Sequence, residues 1–155
     1  MDDPKALGAV LFACNFNRVR SPMAEALLKR FAGDRIFVDS CGLKPSSLDV
    51  GFPGDDVAGV DPFALAVMEE IGGDLSAHRA KTFDELEDAS FDLVISLTPE
   101  AQHRAVELTR GRAARIEYWP TFDPTLVEGA REARMAAYRE VRDALAAKIS
   151  ARFRP

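Results

Sequence analysis

The chain has 155 residues, 47% of them hydrophobic, enough to bury a substantial core, and is expected to form one domain over residues 1–155. A formal net charge of -5, with 25 acidic against 20 basic side chains, speaks against nonspecific nucleic-acid binding and against a basic membrane-surface patch. No apolar run approaches the roughly 18 residues of a membrane span, and the start Met1-Asp2-Asp3 is unlike a basic leader; no membrane and a cytoplasmic location are expected.

The first element is a small and β-branched run, Ala9 to Ala13, of the kind a parallel strand shows when both faces are buried. Cys14 follows, then Arg20 six positions on, then Ser21-Pro22, a polar residue and a proline suited to a helix start. Met23, Leu27, Leu28 and Phe31 give that helix one apolar stripe. A tight loop between a strand end and a helix N-terminus gathers backbone N–H groups into a concavity with the positive end of the helix dipole behind it. This is a cradle for phosphate or arsenate. A cysteine at its mouth has its thiolate favoured by the same fields, and the planar fork of Arg20 matches two oxygens of a tetrahedral oxyanion.

Ile36 to Asp39 reads as a second strand, ended by Ser40-Cys41-Gly42. A strand–helix–strand unit crosses over right-handed, so these strands are expected to be parallel neighbours whose C-terminal ends share the ligand-binding rim. Lys44 to Val60 is a long loop rich in Gly, Pro, Ser and Asp, with Phe52 as its aromatic residue. Asp61-Pro62 opens a helix with Leu65, Met68 and Ile71 as its buried stripe, stopped by Gly72-Gly73. Thr82 to Glu85 is a capping box for a short helix, Phe91 to Leu97 a third strand, and Thr98 caps the next helix, on which His103 faces solvent. Ile116 to Trp119 is a fourth strand, followed by Pro120-Thr121-Phe122-Asp123-Pro124. From Gly129 to Phe153 a long amphipathic helix carries Met135, Tyr138, Val141, Leu145 and Ile149 on one face. Two cysteines, Cys14 and Cys41, are too few for a disulfide framework or a dedicated zinc site.

The stretch C-N-F-N-R-V-R-S-P-M-A-E resembles the C-x5-R-[ST] signature loop of the low-molecular-weight protein tyrosine phosphatases, whose fold is shared with the thioredoxin-coupled arsenate reductases. The resemblance implies an α/β fold, a doubly wound four-stranded parallel sheet in the order 2-1-3-4 flanked by helices. It implies Cys14 as nucleophile, Arg20 as oxyanion clamp and Asp123 of the late Asp-Pro as general acid and then base, acting through a phosphocysteine intermediate. Asn15, Phe16, Asn17, Arg18, Val19 and Ser21 would bind the substrate. Ser40 and His78 would buttress Asn17 in a left-handed conformation that Asn tolerates better than most residues. Phe52 would line one side of the cleft. The implied substrate is a phosphorylated protein or a small aryl phosphate, with inorganic phosphate or a similar oxyanion as loop ligand. No cofactor is implied and no metal is required, because Arg20, the loop N–H groups and the helix end neutralise the oxyanion.

Several positions depart from the family pattern. Phe16 stands where Gly is common, and becomes a candidate wall of the cleft. Val19 stands where a second Cys often shields the nucleophile, which makes Cys41 the candidate disulfide partner of Cys14. Thr125-Leu126 replace the tyrosines after Asp-Pro, leaving Tyr118, Trp119 and Phe122 as candidates for an aromatic wall. Tyr118-Trp119, Asp123-Pro124 and Tyr138 to Arg142 resemble the arsenate reductase branch, whose resolving cysteines are missing here. A non-catalytic phosphate-binding module is a third reading, motivated by Phe16.

Overall fold

A computed structural model describes residues 7–44, 59–87 and 90–154. In it the chain runs β1 (Ala9–Cys14), α1 (Arg20–Ala32), β2 (Phe37–Gly42), α2 (Pro62–Glu69), β3 (Leu93–Ser96), α3 (Pro99–Thr109), β4 (Arg115–Tyr118) and α4 (Arg131–Phe153). Short 3-10 turns occupy Gly33–Arg35, Phe83–Glu85 and Pro124–Leu126. The four strands are parallel and lie in the order β2-β1-β3-β4, as the resemblance implied. Phe52 lies outside the described residues.

Alternation along β1 divides the core into two layers. Val10, Phe12 and Cys14 face α1, α2 and α4, meeting Met23, Leu28, Met68, Tyr138, Leu145 and Ile149. Leu11 and Ala13 face the other way, with Cys41, Val94, Phe83, Phe91, Ala101 and Ala105. Helices on both faces explain why β1 is apolar throughout and β3 is buried throughout, apolar up to its last residue, Ser96. All five expected residues of the α4 stripe are buried.

Element boundaries differ where tertiary pairing overrides local signals. β2 starts one residue later than expected and runs on through Gly42, because parallel pairing with β1 continues to Cys14↔Gly42. β3 is shorter than the apolar run around it, and β4 begins one residue early. On α2 the buried positions are Ala64, Val67 and Met68, and Leu65 and Ile71 are only half-buried. The small Ala64 lets this short helix lie close against its neighbours. On α1 the stripe ends at Ala32, and Phe31 sits on its flank, 37% exposed. Thr82 and Glu85 form the expected capping box, Thr98 caps α3 by accepting from Ala101 N, and His103 is exposed.

Candidate active site

β1 delivers Cys14 to the C-terminal rim of the sheet, and residues 15–19 turn the chain into α1. Asp61 and Thr98 cap α2 and α3 with side-chain oxygens, whereas Val19 before α1 provides no side-chain cap. The first-turn N–H groups of α1 are thus left for an anion. Asn17 is the one non-glycine residue with positive φ among the described residues, at 60°, as expected for the loop. The strain of such a conformation is about 1 kcal/mol or more, and the bonds of Asn17 offset it.

Every polar group of the Asn17 side chain is used. Its amide nitrogen donates to Ser21 Oγ at 2.8 Å and to Ser40 Oγ at 2.9 Å, and its Oδ1 accepts from Lys81 N at 3.0 Å. His78 Nε2 lies 2.9 Å from the Asn17 carbonyl. A carbonyl only accepts, so Nε2 carries the proton. Burial holds the His78 pKa below its ordinary value, favouring this neutral ring. Ser40 and His78 therefore stand where the resemblance put them. The sequence reading missed Glu25, whose Oε1 lies 2.5 Å from Ser40 Oγ and whose Oε2 takes Lys29 Nζ at 2.5 Å.

Glu25 gives the chain of bonds a direction. A carboxylate accepts, so the Ser40 hydroxyl hydrogen points to Glu25 and the Ser40 oxygen receives Asn17. Ser21 Oγ receives the second Asn17 N–H, which leaves the Ser21 hydrogen for Cys14 Sγ, 2.9 Å away, or for the more distant Cys41 carbonyl at 3.4 Å. The backbone N–H of Asn17 also points at Cys14 Sγ, at 3.3 Å. As a thiolate the sulfur can accept both the Ser21 hydroxyl hydrogen and the Asn17 N–H.

Gly42 sets the loop's height above the sheet. A Cβ there would lie 2.7 Å from the Phe16 carbonyl carbon and 2.8 Å from Asn17 N, so only glycine allows this approach. Leu43 N and Lys44 N then bond Asn15 O at 2.8 and 3.0 Å, while Asn15 Oδ1 accepts from Thr98 Oγ1 at 2.8 Å.

Across the rim, Asp123 Oδ1 accepts from Thr125 N and Thr125 Oγ1, at 3.0 and 2.6 Å, fixing the carboxylate as the cap of its 3-10 turn. Its Oδ2 faces Arg20 Nη2 at 3.7 Å, and Arg20 Nη1 donates to Thr121 O at 3.0 Å. Cys14, Phe16, Arg18, Val19, Arg20 and Asp123 share the lining of one cleft of about 590 Å³. Asn15, Asn17 and Ser21, also expected to bind substrate, direct their side chains to Thr98, Ser40 and Cys14 instead, and support the loop.

The rest of the cleft lining comes from Asp61, Pro62, Phe63, Thr125, Leu126, Arg134 and Tyr138. Phe63 and Tyr138 supply its aromatic wall beside Phe16, with ring centroids 5.2 Å apart. The expected wall of Tyr118, Trp119 and Phe122 is corrected. Trp119 packs edge-on against Phe12 at 6.0 Å, Phe122 lines a separate depression against α4, and Tyr118 lines neither. An aromatic directly after the Asp61-Pro62 cap was the available signal for Phe63.

The Cys14–Cys41 pairing is corrected too. Ala13 pairs with Cys41 and Cys14 with Gly42, so the two thiols point to opposite faces of the sheet and belong to different core layers. A disulfide needs Cβ atoms turned toward each other. Burial above all, and then the charges of Cys14 and Asp39, push the Cys41 thiol well above its ordinary pKa.

The class these features define is a parallel α/β sheet whose first strand and first helix are joined by a short loop that opens on a cysteine. Residues 9–151 match the low molecular weight phosphotyrosine protein phosphatase family, and the chain belongs to it. The arsenate reductase of Halalkalibacterium halodurans is 32% identical over 140 residues, covering 90% of this chain and 91% of that protein. Among solved structures, the low molecular weight protein tyrosine phosphatase from T. tengcongensis superposes with a TM-score of 0.71 at 24% identity, covering 92% of this chain and 95% of that one. An arsenate reductase in its oxidized state superposes with a TM-score of 0.69 at 26% identity, covering 94% and 95%.

Proposed function

We propose that this chain is a cysteine-dependent phosphomonoester hydrolase of the protein tyrosine phosphatase type. The observation that carries the reading is Cys14 Sγ, which meets the Ser21 hydroxyl and the Asn17 N–H at the mouth of a cleft where Arg20 and Asp123 face each other. In the first step Cys14 attacks phosphorus in line, a sulfur–phosphorus bond forms, and the ester oxygen leaves with a proton from Asp123. Arg20 and the N–H groups of the loop hold the equatorial oxygens, whose charge spreads in the transition state. In the second step Asp123 takes a proton from water, which attacks phosphorus and returns the electron pair to sulfur; Ser21 donates its hydrogen bond to the departing thiolate. The substrates are aryl phosphates or phosphorylated protein side chains, and water is the final acceptor of the phosphoryl group.

A second reading, arsenate reduction, is favoured by the names of the relatives. Against its self-contained dithiol form stands the sequence: of the chain's two cysteines, only Cys14 lies at the cleft. A reductase of this kind would take its second thiol from outside the chain.

The test is hydrolysis of 4-nitrophenyl phosphate in EDTA from about pH 4 to 8, with arsenate turnover in the presence of thioredoxin or glutathione run beside it. Hydrolysis should fall by on the order of a thousandfold or more in Cys14→Ser and by roughly a hundredfold in Asp123→Asn. Arsenate turnover without hydrolysis would establish the second reading instead. Phosphate binding with neither turnover would leave the non-catalytic module.

A further inference from the structure

We propose that Arg134, with Arg131 beside it, forms a carboxylate-recognising subsite on the Phe63 ring, selecting phosphomonoesters whose leaving group is itself anionic. The proposal rests on the hydrolase reading and names its substrate class.

The arginines of α4 fall into two groups. Arg139 and Arg142 share the carboxylate of Glu70, at 2.8 and 2.9 Å, with Glu132 and Asp143 as further partners, and Arg152 holds Glu117 at 2.7 Å. Arg134 and Arg131 have no ion pair among the described residues and lie over the face of Phe63, at 4.4 and 5.5 Å from the ring centroid. The carboxylates nearest to them in the cleft are committed. Asp61 caps α2 through Phe63 N and Ala64 N and accepts from the Tyr138 hydroxyl at 3.1 Å. Asp123 holds Thr125 and faces Arg20.

Arg134 lines the same cleft as Cys14. A guanidinium stacked on an aromatic ring has its plane fixed and its edge donors free, the geometry that takes a carboxylate bidentately. A phosphate seated on the loop would extend its leaving group along the wall of Phe16, Phe63 and Tyr138. A carboxylate on that group then reaches the Arg134 guanidinium, which lines the cleft and lies on the Phe63 ring. The same chemistry describes an aromatic acid phosphate or a phosphotyrosine flanked by acidic residues.

The experiment measures kcat/KM for 4-methylphenyl, 3- and 4-carboxyphenyl and 4-(aminomethyl)phenyl phosphate on the wild type, Arg134→Gln, Arg134→Lys and Arg131→Gln. Comparing ratios between proteins cancels the leaving group's own chemistry. Arg134→Gln should lower kcat/KM for a carboxyphenyl ester by about three- to tenfold relative to the methylphenyl ester. Arg134→Lys should keep part of the preference, Arg131→Gln should lose less, and rising salt should erode it in the wild type. Equal ratios in the wild type and Arg134→Gln would overturn the subsite. If the wild type hydrolyses none of these esters, the hydrolase reading fails while the subsite stays testable. Calorimetry with benzylphosphonate and 4-carboxybenzylphosphonate then decides it: a carboxylate preference lost in Arg134→Gln supports the subsite, and equal affinities overturn it.

Discussion

Cys14 and Cys41 are two thiols separated by one residue of register across a parallel strand pair, and they have opposite surroundings. Cys14 ends β1 on the face toward α1, where the chain turns and two hydrogen-bond donors meet its sulfur. Cys41 lies opposite Ala13, fully buried on the other face among Leu11, Phe83 and Ala101, in a setting that opposes ionisation. The difference follows from the two-residue period of a strand. One step along the ladder turns a thiol from the cleft into the core, and no change of composition is needed. Reactivity here belongs to the loop and its supports, not to cysteine as such.

Alkylation of the native protein should show the largest effect. Iodoacetamide is expected to modify Cys14 at least about a hundredfold faster than Cys41, read by peptide mapping, with Cys41 reacting fully only after denaturation. Dilute peroxide should yield no Cys14–Cys41 crosslink; its appearance would show that the strands rotate in solution. Gly42→Ala comes next. A methyl group at van der Waals conflict with the loop backbone should destabilise the fold by about 1–3 kcal/mol in urea titration. It should also lower kcat by roughly tenfold or more, since small displacements of reacting groups are costly. A variant with normal kcat would mean that the loop can rise without losing its geometry.

The fold was legible because its signals are local and repeated. Buried strands read as apolar runs, α4 carries its buried stripe from Met135 to Phe153, and Asp61-Pro62, Thr82 and Thr98 announce their turns with caps. The loop was legible through its motif, down to the positive φ of Asn17 and its bonds to Ser40 and His78. The cleft walls were not. Phe63, Arg134 and Tyr138 reach Cys14 through packing of α2 and α4 on the sheet, and no spacing along the chain encodes that meeting. Glu25 was hidden for another reason: on α1 it reads as half of an i,i+4 pair with Lys29, and its second oxygen is spent on Ser40. The Cys41 pairing was misread because adjacency on neighbouring strands was considered without the face.

Behind the loop, the contrast between the cysteines can be weakened from a distance. Glu25→Gln keeps the size of the side chain but brings an amide that can donate to Ser40, competing with Asn17. It should cost about 1 kcal/mol of stability and lower kcat by roughly threefold to tenfold with KM little changed. Glu25→Asp, which keeps an acceptor, should recover part of the loss. A kcat equal to that of the wild type in Glu25→Gln would show that Ser21 holds its direction without help from the carboxylate.

The smallest effect is expected from His78, and its sign is fixed by burial. The folded protein keeps the ring neutral below its ordinary pKa, so the unfolded chain binds more protons than the folded one as the pH falls. Stability contributed by the neutral ring is fully present above the unfolded value of about 6.5 and is lost as the pH drops below it toward the folded value. His78→Gln retains a donor for the Asn17 carbonyl and removes the titration. The wild type should therefore lose more Tm than His78→Gln between about pH 7.5 and 5.5, by on the order of a degree or two. Identical pH slopes would mean that the ring protonates without leaving the carbonyl, which its Nε2 proton permits. In that case Asn17 is held by position alone, and the loop behind Cys14 is insensitive to pH.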